Sequence, residues 1–160
     1  MNSISKQSKA MISSIYEALA RALESIEDDG GRLIRHVELW NRNVEFIEDE
    51  QLWPRPAVFI EFGEVSWSQY NGASRGFTGE CPVTIHVVKD WKGSTAVGSP
   101  QRDEAVAMLD LSETICRAVQ GLSGDGFRNM RLRSSIPNHD HEEIVESIER
   151  YAVTLDRKMG

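Results

Sequence analysis

The segment Arg55-Pro56-Ala57-Val58-Phe59-Ile60-Glu61-Phe62 constrains the fold more than any other. Pro56 opens an extended stretch, and Val58, Ile60 and Phe62 then alternate with Phe59, Glu61 and Gly63. A period of two is the signature of a β-strand with two unlike faces. One face is apolar and needs an apolar cover. The other sets Phe59 beside Glu61, which makes it too apolar for a purely solvated surface and too polar for a core.

The flanking sequence supplies the cover. Ile12, Ile15, Tyr16, Leu19, Ala22, Leu23 and Ile26 recur at helical spacing, so a helix buries one stripe. Ser3 or Ser5 is placed to cap its start and Gly30-Gly31 to end it. Its charges oppose the helix dipole, with Lys6 and Lys9 early and Glu27 to Asp29 late, so packing must stabilise it. Leu33 to Trp40 reads as extended, with Val37 and Leu39 on one side. Asn41 to Trp53 reads as a loop or short helical turn carrying Glu48-Asp49-Glu50.

After the Val58 strand, Ser66 to Gly79 reads as a long connection rich in aromatic residues and glycine. Val83, Ile85 and Val87 then alternate with Thr84, His86 and Val88 in another strand, and Trp91 to Ser99 forms a second loop. Ser99-Pro100 starts a helix that runs through Ile115 and Cys116 to Leu122. Met130, Leu132 and Ile136 alternate with Arg131, Arg133 and Ser135 in a strand with a basic outer face. Tyr151, Val153 and Leu155 form the last strand. Ile144, Val145 and Ile148 break its parity, and a bulge near Ser147 would reconcile them.

Strands joined directly, with alternating faces, predict an antiparallel sheet. The expected architecture is α+β: a mainly antiparallel sheet of four to five strands with two long helices packed on one face. The 160 residues suit one domain, 1–160. The open face then carries Phe59, Glu61, Thr84, His86, Val88, Arg131 and Arg133, a mixture that suits a subunit interface.

Composition excludes several functions. A formal net charge of −7 argues against gripping nucleic acid by its phosphates. Two cysteines, Cys81 and Cys116, are too few for a disulfide framework, and Cys116 falls on an apolar helix stripe as a small buried thiol. No run of about 18 apolar residues predicts a membrane span. The polar stretch Met1 to Ala10 lacks a signal-peptide apolar core, which predicts synthesis in the cytoplasm.

Few side-chain clusters point to chemistry. His139-Asp140-His141-Glu142-Glu143 has metal-ligand residue types, but its two histidines stand two apart in a turn-like segment and no further ligand motif accompanies them. A solvated connection explains it more simply. His86 would need a carboxylate or nucleophile in reach to act as a base. Glu48-Asp49-Glu50 lacks the spacing and glycine of a calcium loop. Gly72, Gly76 and Gly79 lead into a strand and no lysine with serine or threonine follows, so they form no phosphate loop. Trp67, Tyr70 and Phe77 read either as core plugs or as anchors of a binding loop. The Arg131/Arg133 pair reads either as a solvated strand face or as a contact with acidic residues of a neighbouring copy.

The element order resembles that of the tail terminator, or tail-completion, proteins of long-tailed bacteriophages and prophages. The likeness is carried by the helix Ile12 to Ile26, by His36-Val37-Glu38-Leu39-Trp40-Asn41 and by Arg55 to Phe62. The Gly79 to Val88 strand, the Pro100 to Leu122 helix and the Tyr151 to Leu155 strand complete it. The resemblance implies a homo-oligomeric ring, commonly a hexamer, that caps the tail tube and docks the head–tail connector. It implies no enzymatic activity, no cofactor and no metal, with DNA passing through unbound. Localisation would be cytoplasmic during assembly and then in the virion tail or neck. The interface candidates are Phe59, Glu61, Trp67, Tyr70, Phe77, His86, Arg131 and Arg133. The alternatives are a neck or head-closure protein, or a small metal- or ligand-binding enzyme-like domain using His86 or His139/His141.

Overall fold

A computed structural model describes residues 11–41, 53–69, 76–90, 95–138 and 144–158. It is a mixed α+β structure built on a mostly antiparallel sheet. Helix α1 spans Met11–Glu24 and buries Ile15, Leu19 and Leu23, one residue per turn. Gly30 and Gly31 do not end this helix. Gly30 lies in the turn after β1 (Glu27–Asp28), and Gly31 opens its paired strand β2 (Gly31–Arg32). Gly31 has a φ of 109°, and the Gly30 N–H donates to Asp28 Oδ1 at 2.8 Å. Gly31 supplies the positive φ that this tight hairpin needs.

The main sheet has six strands: β3 (His36–Leu39), β4 (Ala57–Phe62), β5 (Ser66–Gln69), β6 (Gly76–Asp90), β7 (Phe127–Asn138) and β8 (Ile144–Lys158). The order is β3-β4-β6-β8-β7, and only β3 with β4 is parallel. This exceeds the four to five strands expected. The extra strand comes from the aromatic connection, much of which is not a loop: Ser66–Gln69 pairs with Phe77–Glu80 as an extension of the β4–β6 hairpin.

β4 and β5 therefore share one side of β6, interrupted at Pro82. Proline has no N–H for the ladder. The Pro82 carbonyl accepts from the Gly63 N–H at 2.9 Å, and an added Cβ on Gly63 would stand 3.1 Å from the proline ring. Glycine at 63 allows the chain to pass this close.

β8 pairs with β6 without a shift from Ile144 to Lys158, so the bulge expected near Ser147 is absent. The irregularities lie on β7, between Arg128 and Arg131 and between Leu132 and Ser134. Asn129, at φ 61°, occupies the first of them, a conformation asparagine tolerates. The mixed parity of β8 has another cause. Tyr151, Val153 and Leu155 face the helices, while Ile144 is buried on the opposite face with Ala57, Phe59 and Val88. Both faces of the strand are covered.

The second long helix is broken in two. α2 (Arg102–Ala107) passes through a tight 3-10 turn, Met108–Asp110, into α3 (Leu111–Val119). Ala105 and Leu111 are both buried. Six residues at about 100° each would leave them about 120° apart on one continuous helix. The tighter turn re-phases the chain. α3 then buries Leu111, Ile115 and Val119, and Gly121 (φ 78°) stops it while its N–H donates to the Met130 carbonyl on β7 at 2.7 Å.

Ile15, Leu19 and Leu23 of α1 and Leu111, Ile115 and Val119 of α3 form one buried cluster with Val58, Ile60, Val83, Ile85, Val87, Tyr151, Val153 and Leu155. Cys81 joins it; Cys116 is half-buried, and both thiols are free. Ile115→Ala should cost about 2–5 kcal/mol in denaturant unfolding. Burial pushes the Cys81 thiol up to about 11. At pH 8 a thiol reagent should modify the folded protein at Cys116 well before Cys81, and equal rates would contradict the packing described.

Candidate functional site

The face of the sheet away from the helices carries a cluster of its own. Phe59 of β4 pairs directly across from His86 of β6, and His86 in turn lies opposite Ile148 of β8. Strand geometry then places Glu61 and Glu146 on diagonals either side of the imidazole. His86 Nε2 lies 2.8 Å from Glu61 Oε1, and Nδ1 lies 2.9 Å from Glu146 Oε2. Asn138 Nδ2 donates to the other Glu146 oxygen at 2.6 Å. His86 and Glu146 are buried, while the Glu61 side chain is 46% exposed.

Two tryptophans close over this cluster. Trp40 stacks on the His86 ring with centroids 3.7 Å apart and planes 6° from parallel. Trp53 meets Phe59 edge-on at 4.9 Å and stacks on His36 at 6.2 Å. His36 Nε2 lies 3.0 Å from Glu38 Oε2. The Arg55 guanidinium lies over Trp53 at 5.6 Å and pairs with Asp90. Trp40 and Trp53 stand at the two ends of the crossover between β3 and β4. They fasten it onto Phe59, Ala57, Val88 and Ile144.

The chemistry of His86 follows from its partners. Ionised carboxylates only accept hydrogen bonds. Both ring nitrogens lie within hydrogen-bond distance of a carboxylate, and the ring lies flat under the Trp40 face. Neither nitrogen is left for a substrate. This histidine clasps the crossover and is not placed as a general base. Among the described residues no group of three or more His, Cys, Asp or Glu is placed to hold a metal ion, and no helix is long and apolar enough to cross a membrane.

The candidate residues separate accordingly. Phe59 and His86 are covered by the chain's own Trp40 and Trp53, which takes their side chains out of reach of another copy. Glu61 stays at the surface as a partner of His86. Trp67 and Phe77 lie on β5 and β6, edge-on to each other at 6.4 Å. Trp67 packs against the main core with Arg157 over its ring at 4.5 Å. Arg131 is engaged by Glu80, the Asn129 carbonyl and Thr154. Arg133 is exposed on β7. Tyr70 and the His139–Glu143 segment lie outside the described residues. Trp40, Trp53 and Glu146 were absent from the sequence-based set. The off-parity residues of β8 were their only local signal.

His86→Ala should destabilise the fold by about 1–3 kcal/mol, because the buried Glu146 loses a hydrogen-bond partner. A double-mutant cycle of His86→Ala with Trp40→Ala should show coupling of about 0.5–1.5 kcal/mol for the stacked pair. Coupling near zero would make the stack incidental.

No protein-family model matches this chain, and no curated protein matches it.

Proposed function

We propose that this chain is a structural subunit of a long-tailed phage or prophage, a tail terminator or tail-completion protein. It caps the tail tube as a homo-oligomeric ring and docks the head–tail connector. The observation that carries the reading is the outer half of β7. Arg133 to Pro137 are exposed on both sides of an edge strand that also bears the half-exposed Ile136. An open edge of this kind is a template for another strand, and monomers normally blunt or cover it. Here, among the described residues, nothing covers it.

Two further features support an assembly role. His86 commits both ring nitrogens to carboxylates, which counts against the reading as a small enzyme. The net charge of −7 suits a channel that lets DNA pass without holding it. In this role the protein works without a cofactor, in one domain, in the cytoplasm during assembly and then in the tail or neck. A head-closure protein of the neck is the nearest alternative, because it would use the same kind of edge.

Native mass spectrometry and negative-stain microscopy test the reading. Closed rings, hexameric as in the proteins the chain resembles, should form alone or on added tail tubes, and tube length should stop growing when they bind. A chain that stays monomeric at high concentration and leaves tube growth unchanged would overturn it.

A further inference from the structure

Among the described residues, the chain covers much of both faces of the sheet, while no further strand pairs with its outer edges. β3 ends the strand order on one side and β7 on the other. The first half of β7 is tied to the end of α3: the Gly121 N–H donates to the Met130 carbonyl, the Met130 N–H to the Leu122 carbonyl and the Leu132 N–H to the Gln120 side chain. Beyond Leu132, among the described residues, only β8 pairs with this strand. Ile136 is 39% exposed there, and Leu39 on β3 is 50% exposed.

The strand directions of the two edges are compatible. β3 runs with β4, and β4, β6, β8 and β7 alternate, so β3 and β7 run opposite ways. A second copy shifted across the sheet brings its β3 antiparallel to the first copy's β7, with both helix layers on one side. Charge is compatible as well. Arg133 and Arg150 are exposed at the β7 side, and neither forms an ion pair among the described residues. Glu38 and Glu61 place half-exposed carboxylates at the β3 side.

We propose that the β7 edge of one copy, Arg133 to Pro137, pairs antiparallel with the β3 edge of a second copy, His36–Leu39. This rests on the reading that the chain assembles with its own copies, and it names the two surfaces. The contact is heterologous, since each copy offers one patch of each kind, and repetition closes a ring if the rotation closes. β3 is four residues long, so the seam is short. Pro137 lacks an N–H and limits pairing at its far end.

Ile136→Lys and Leu39→Lys each place a charge on one edge, at sites exposed enough to keep the fold. Ile136→Asp and Leu39→Asp, made alongside, keep the result readable if a lysine variant fails to melt like the wild type. By native mass spectrometry each variant alone should stay monomeric where the wild type assembles. An equimolar mixture of one Ile136 variant with one Leu39 variant should give a heterodimer and stop there, because only one intact seam remains. Variants that assemble like the wild type overturn the edge assignment. So does a mixture that stays monomeric while the wild type forms rings, an outcome that leaves the ring reading standing. A wild type that never assembles, alone or on tail tubes, overturns both.

Discussion

The long antiparallel ladder between β6 and β8 fixes the position of nearly everything else. It runs unbroken across the full 15 residues of each strand. On one side it receives β4 and β5, on the other β7. Because side chains alternate along both strands, one register decides two layers at once. Val83, Ile85, Val87, Tyr151, Val153 and Leu155 go to the helices. His86, Val88, Ile144 and Glu146 go to the opposite face. A slip by one residue would separate His86 from Glu61 and Glu146 and turn it toward the helices. The polar cluster thus helps specify the register that the apolar residues stabilise.

The two layers are covered by different means. α1 and α3 bury aliphatic stripes, a cover that tolerates small shifts. The second face is covered in part by Trp40 and Trp53, and their contacts are directional: a parallel stack on His86, an edge-on contact with Phe59 and a cation over Trp53. Such contacts add only about 0.5–1.5 kcal/mol each beyond buried area. What they contribute is geometry. β3 and β4 are parallel, and the stacked rings hold the chain in place just after β3 and just before β4.

Local pattern was enough to read α1, β4, the centre of β6 and the Tyr151–Leu155 part of β8, because each exposes its period within a few residues. It failed where the deciding contact was distant. The Ser66–Gln69 strand exists because β6 offers it an edge, and its own sequence resembles a loop. The break at Met108–Asp110 goes with burial of both Ala105 and Leu111, which a single continuous helix would set about 120° apart. His86 was singled out, but one partner, Glu146, lies 60 residues further along the chain, and no local spacing announces it. The alternating Phe59/Glu61 face reads as neither core nor solvent, whereas Phe59 is fully buried and Glu61 half-exposed. Its cover was assigned to another molecule, whereas Trp40 and Trp53 of the same chain provide it.

That cover moves the functional question from the face of the sheet to its rim. A side chain buried under a tryptophan cannot anchor a partner without first releasing the crossover and separating His86 from its stacked ring. Contact along an edge asks for no such release: the backbone groups of β7 beyond Leu132 and the side chains of Ile136 and Leu39 already stand at the surface. Edge strands are also where a protein chooses its order of assembly, since opposite edges of one sheet are necessarily different surfaces. If copies pair as proposed, two unlike edges would favour head-to-tail growth over face-to-face pairing. Arg133 and Pro137 then restrict which strand can join, in the way charge and proline on an edge discourage unregistered pairing.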